Sequence, residues 1–213
     1  MNWLSQIFKT STGSTEQPAN NSVAVVWLPG ANQTDLSFAY LRSVCDFKKE
    51  IAVNYSSLNR FYANLEKIID DLQDAGPVFT IGHSLGGLYA LHLTQHIDVV
   101  GGVSISTPFN GSSTADWAKY VVPGYPLFRD IGRRAPPVQD ANNFKLTVPW
   151  TQVVSTSGSV PYHDGPNDGV VTVASMQHRT DVECIEVPHT HYEVLCSDRV
   201  ADIILHNYNK VNC

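Results

Sequence analysis

Apolar residues follow two different spacings along this chain. From Val23 to Leu28 they run without a break and are rich in β-branched side chains, as in a strand covered on both faces. Glu50 to Tyr55, Pro77 to Ile81, Val99 to Ser106, Trp150 to Val154 and Val182 to Val187 are further segments of strand type. Between them the period changes. Leu58, Phe61, Tyr62, Leu65, Ile68, Ile69 and Leu72 recur at i, i+3, i+4 and i+7, which predicts a helix closed by Gly76-Pro77. Leu88 to Leu93 continues as an apolar helix, and a last helix is predicted from about Glu193 to Tyr208. Strands alternating with helices predict an α/β fold, a three-layer α/β/α sandwich around a mainly parallel sheet of about six strands.

At the N-terminus, Trp3, Leu4, Ile7 and Phe8 recur at helical spacing before a polar stretch from Thr10 to Asn21. Residues 1–22 therefore read as an extension carrying a short helix, docked or frayed. As a foot for weak membrane-surface contact, residues 1–8 lack the Lys/Arg face such a helix uses. Residues 23–213 form one domain, in which 107–149 is a proline-rich insert with no strand pattern. Its Phe109, Trp117, Tyr120 and Phe128 either pack the insert down or line a cap or lid over substrate, two readings the sequence leaves open.

Composition narrows the function classes. The chain has 213 residues, 43% of them hydrophobic, enough for one well-buried core. A formal net charge of −6 and the absence of any Lys/Arg cluster larger than a pair such as Arg133-Arg134 argue against a nucleic-acid partner. No apolar run approaches the roughly 20 residues of a membrane span, and none follows a basic start, so the expected location is cytoplasmic. Cys45, Cys184, Cys196 and Cys213 lack metal-ligand spacing and read as thiols, with a Cys184 to Cys196 bridge left open.

The chemistry gathers on Phe79-Thr80-Ile81-Gly82-His83-Ser84-Leu85-Gly86-Gly87, a strand-type run that enters a helix through a G-x-S-x-G pattern. A nucleophile on such a sharp turn needs glycine neighbours, and Gly82 and Gly86 flank Ser84 at the required spacing. The turn also sets the Leu85 amide at a helix N-terminus, where a developing oxyanion is favoured. A hydroxyl nucleophile needs a base, and the base an acid to hold its ring. Of eight histidines, His189 and His191 directly follow the sixth strand, where a parallel sheet collects its functional groups. His83, His92, His96 and His206 read as packing or surface residues. For the acid, Asp168 lies after the fifth strand in Gly165-Pro166-Asn167-Asp168-Gly169, with Asp164 as its competitor.

Four blocks in order resemble the α/β-hydrolase superfamily, and within it compact bacterial triacylglycerol lipases and lipase-like serine esterases. They are Gly82-His83-Ser84-Leu85-Gly86-Gly87; Thr107-Pro108-Phe109-Asn110-Gly111-Ser112 with Ala115-Asp116; Asn167-Asp168-Gly169-Val170-Val171; and His191-Tyr192-Glu193. The resemblance implies Ser84 as nucleophile, His191 rather than His189 as base, Asp168 as acid, and the amides of Ala31 and Leu85 as the oxyanion hole. It implies hydrolysis of a small-molecule or lipid ester through an acyl-enzyme, with no metal or other cofactor. A thioesterase, a phospholipase or an amidase can use the same set, and a catalytically silent binding module is the non-enzyme alternative. One departure stands out. Such lipases carry His-Gly after the first core strand, where this chain has Pro29-Gly30.

Overall fold

The computed structural model describes residues 23–112, 129–159 and 165–212. The N-terminal extension, Trp117, Tyr120, Phe128 and Asp164 lie outside the described residues. Six strands appear: β1 (Ala24–Leu28), β2 (Glu50–Ala52), β3 (Val78–His83), β4 (Val99–Ile105), β5 (Trp150–Ser155) and β6 (Glu183–Val187). They pair in parallel in one open sheet of order β2-β1-β3-β4-β5-β6. The helices are α1 (Ala39–Cys45), entered through a 3-10 turn at Asp35–Phe38, α2 (Phe61–Leu72), α3 (Leu85–Leu93), α4 (Pro136–Asn143), the single turn α5 (Val173–Met176) and α6 (Asp198–Val211).

Alternation along β1 sorts the core into two layers. Ala24, Val26 and Leu28 face α2, α3 and α4 with Leu65, Ile68, Leu88 and Val138. Val25 and Trp27 face α1 and α6 with Phe38, Leu41, Ile203 and Ile204. All nine residues of α3 are buried, which explains a helix that is apolar all round rather than on one stripe. The chain leaves β1 toward β2 on one side and continues through β3 on the other. That reversal opens a crevice at the carboxyl ends of β1 and β3.

Several elements depart from the pattern. The second helix begins at Phe61, not Leu58, which is 71% exposed. Its N-terminus is held instead by Asp130, which accepts from Phe61 N at 2.8 Å and pairs with Arg60. The last helix is divided by extended backbone at Ser197 (φ −113°, ψ 124°) into a 3-10 turn, Glu193–Cys196, and α6. Phe109 is fully buried in the core. Cys45, Cys184 and Cys196 are all free thiols. Among the described residues no helix is long and apolar enough to cross a membrane.

Candidate active site

β3 ends at His83 and α3 begins at Leu85, so the whole reversal falls on Ser84. Its backbone sits at φ 52° and ψ −119°, a region non-glycine residues rarely occupy. Surrounding backbone enforces it. Ser84 N donates to Ile105 O at 2.8 Å, and Gly87 N donates back to Ser84 O at 3.1 Å. A Cβ at Gly82 would lie 2.5 Å from Gly86 O, and one at Gly86 would lie 2.0 Å from Leu28 O. Neither position has room for any other residue. Leu85 then opens a nine-residue helix, and among the described residues its amide and that of Ala31 have no acceptor.

The loop after β1 carries Ala31. Tyr55 donates to Pro29 O at 2.7 Å, Gln33 N donates to Gly30 O at 3.2 Å, and Gly30 N donates to Gln33 Oε1 at 2.9 Å. Asn32 takes a positive φ of 57°, and its amide donates to Ser57 Oγ at 2.8 Å. The Pro-Gly departure is thus met by side chains of its own, Gln33 and Tyr55.

Asp168 and His191 come together at the ends of β5 and β6. His191 Nδ1 lies 2.7 Å from Asp168 Oδ2, with both side chains almost wholly buried. The same oxygen accepts from Ser155 Oγ at 2.6 Å, while Oδ1 accepts from Val170 N at 2.9 Å and Val171 N at 2.7 Å. Burial by itself raises the Asp168 pKa. The hydrogen bonds and charge of His191, with those of Ser155 and Val171, outweigh it and hold the carboxyl below its ordinary range. Gly169 supplies the loop's left-handed turn at φ 97°. His191 N donates to Asp168 O at 2.9 Å, so the two residues are also joined through backbone.

Ser84 Oγ and His191 Nε2 form no hydrogen bond to each other in this arrangement. They are neighbours through His83, whose ring centroid is 4.8 Å from that of His191. His83 is fully buried, with Nδ1 2.9 Å from Gln33 Oε1 and Nε2 2.9 Å from His191 O. Burial, reinforced by His191, pushes its pKa down to about 3. His189 points elsewhere, its Nε2 2.9 Å from Ser197 Oγ, and His92 Nε2 meets Pro137 O at 2.8 Å. Pattern reading passed over His83, Gln33 and Ser155. The position of Ser155 as last residue of β5 was the one signal available for it. Among the described residues no group of three or more His, Cys, Asp or Glu side chains could hold a metal ion.

The chain is similar in fold to several solved structures. The lipase BlEst2 of Bacillus licheniformis superposes with a TM-score of 0.61 at 13% identity, over 91% of this chain and 94% of that one. A thermophilic esterase of Thermogutta terrifontis gives 0.60 at 14% identity over 90% and 91%. A pyrethroid hydrolase from Sphingobium faniae JZ-2 gives 0.59 at 13% identity over 88% and 97%. No curated protein matches the sequence. The sequence model of the alpha/beta hydrolase family matches residues 25–199, a span that runs from β1 into α6 and includes every residue of the site, and the chain belongs to that family.

Proposed function

We propose that the chain is a serine hydrolase that cleaves carboxylic esters, of lipase or esterase type, with Ser84 as nucleophile, His191 as base and Asp168 as the acid that orients it. The observation that carries this reading is the buried Asp168–His191 hydrogen bond of 2.7 Å beside a serine on a strained turn. His191 Nε2 takes the proton of Ser84 as Oγ bonds to the ester carbonyl carbon. The amides of Ala31 and Leu85 donate to the oxyanion, and His191 returns the proton to the departing alcohol. Water then repeats the sequence on the acyl-enzyme. Asp168 stays ionised throughout, as its lowered pKa favours, and supports the imidazolium. An open Ser84–His191 hydrogen bond is compatible with this role, because such bonds tighten when substrate is bound.

An ester with an apolar part suits the surroundings better than a charged peptide. Leu36, Leu58 and Tyr192, exposed by 74%, 71% and 61%, stand on the connections that follow β1, β2 and β6 at the carboxyl end of the sheet. Similarity in fold to a lipase and an esterase supports the same class. A fluorophosphonate probe should label the wild-type chain and not Ser84→Ala, which should also lose ester hydrolysis by ~10⁴-fold or more while remaining folded. Substantial turnover by folded Ser84→Ala would remove Ser84 from the mechanism. Graded p-nitrophenyl esters, acyl thioesters and anilides, assayed side by side, should rank ester first. A thioester or amide preference would replace that part of the reading, and no turnover with no labelling would favour a binding module.

A further inference from the structure

A line of close polar contacts crosses the site from the loop after β1 to the loops after β5 and β6. Gly30 N donates to Gln33 Oε1, which also meets His83 Nδ1, each at 2.9 Å. His83 Nε2 reaches His191 O at 2.9 Å, and His191 N in turn donates to Asp168 O at 2.9 Å. The line is tightly packed as well as bonded. A Cβ on Gly30 would stand 2.7 Å from Gln33 Oε1 and 3.0 Å from His83 Nδ1, so this glycine lets the loop sit down on the pair.

The ends of this line are the two parts of the site that must keep their spacing during acyl transfer. One end is the turn carrying Ala31, and the other is the backbone of His191. We propose that Gln33 and His83 are positioning residues. Gln33 fixes the turn that presents the Ala31 amide, and His83 ties that turn to the backbone of His191, so that oxyanion donor and base move as one. The proposal rests on the serine-hydrolase reading above.

The proton count makes the link asymmetric. Both partners of the His83 ring are oxygen acceptors, and a neutral ring has one N–H. The two contacts cannot both be hydrogen bonds on a neutral ring, and the proposal places the proton on Nε2: His83 then donates to His191 O, while its bare Nδ1 only packs against Gln33 Oε1, which the Gly30 amide satisfies. The base is then the more firmly held side. Of two conservative replacements, His83→Gln can put an amide N–H where Nε2 stood. His83→Asn is too short to reach and can replace only the Nδ1 side.

The test uses the full chain and p-nitrophenyl butyrate, with an alkylboronic acid as transition-state analogue. Gln33→Met, of similar volume but with no acceptor for Gly30 N, should lower kcat about tenfold or more. KM should stay within about threefold, and boronate affinity should fall in parallel with kcat/KM. His83→Gln should keep most of kcat and an unshifted pH profile, and His83→Asn should lose at least about tenfold more. Thermal midpoints taken alongside show whether each variant is folded at the assay temperature. Gln33→Met within twofold of wild type in both kcat and boronate affinity overturns the oxyanion half. His83→Asn equal to or better than His83→Gln overturns the base half. A variant that unfolds is read instead by ¹⁵N shifts of His83 in the wild-type chain, where protonation on Nδ1 rather than Nε2 overturns the asymmetry and thus the tie to His191. An inactive wild type, or an active Ser84→Ala, fails the underlying reading rather than this one and takes the proposal down with it.

Discussion

The turn at Gly82–Gly87 and the loop at Gly165–Val171 each deliver one residue of the proposed site to the carboxyl end of the sheet, and they do it differently. At the turn, position comes from backbone close approach. The absent side chains of Gly82 and Gly86 let β1, β3 and α3 meet, and Ser84 is forced into its φ of 52° by what surrounds it. In the Asp168 loop, position comes from side-chain hydrogen bonds, four of them converging on one carboxylate. Steric constraint is intolerant of added atoms and nearly indifferent to charge. A hydrogen-bonded carboxylate tolerates changes of volume nearby but depends on proton inventory.

The largest expected effect breaks the turn at Ser84. Gly86→Ala puts a methyl group 2.0 Å from the Leu28 carbonyl, so β1 and α3 must separate. The variant should lose cooperative folding or fall by several kcal/mol in stability, measured by urea denaturation. A native-like midpoint would mean that the turn is not sterically fixed. The same substitution should cost the Asp168 loop nothing unless folding itself is lost.

The next effect breaks the hydrogen-bonded arm and leaves the fold standing. Asp168→Asn keeps the volume but offers Val170 N and Val171 N a weaker acceptor, and can hold His191 in the wrong tautomer. We expect kcat to fall by about 10²-fold or more in a chain still folded at the assay temperature, and Asp164→Asn to stay within several-fold of the parent. Equal sensitivity at Asp164 would move the acid role along the loop.

The last effect sharpens the contrast through pH. The folded-state pKa of His83 is depressed to about 3 from 6.5. Between those values the unfolded chain binds the extra proton, so stability falls as pH drops below about 6.5 and levels off near 3. Integrated from 6.5 to 4, the loss is ~3 kcal/mol. Asp168 adds to it only at lower pH. Its depressed pKa contributes stability that is present above 3.8 and lost as pH falls through the folded value. His83→Gln should therefore flatten the stability profile between pH 6.5 and 4, and an unchanged slope would show that another group carries the acid sensitivity.

What the sequence disclosed tracks how local each feature is. Continuous apolar runs such as Val23–Leu28 announce strands because both faces of the sheet are covered, and β1 falls on Ala24–Leu28. α1 and the 3-10 turn before it escaped notice because Leu36 in the turn and Val44 in the helix face solvent, which breaks the apolar stripe. α4 escaped because its first turn is Pro136-Pro137, a start signal hidden in a proline-rich stretch. Ser84 was legible because its requirements lie two residues away on either side. His83 was not, since the atoms that give it a role are 50 and 108 residues distant in sequence. Gln33 was obscured for a related reason: its contact with Gly30 is local, but its meaning depends on His83.

The seating of Gly86 against Leu28 also governs how the molecule opens. The Ser84 amide is hydrogen-bonded to Ile105 across β4, inside a region where β1, β3 and α3 touch backbone to backbone. Such a region has no smaller unit in which to unfold, so deuterium should enter the Ser84 amide only when the whole domain opens. Half-buried Gly169 and exposed Val170, whose amides are each held by a single side-chain acceptor, should exchange through local fluctuations. The position of Ser84 is thus as durable as the fold, while the loop of Asp168 breathes on its own clock.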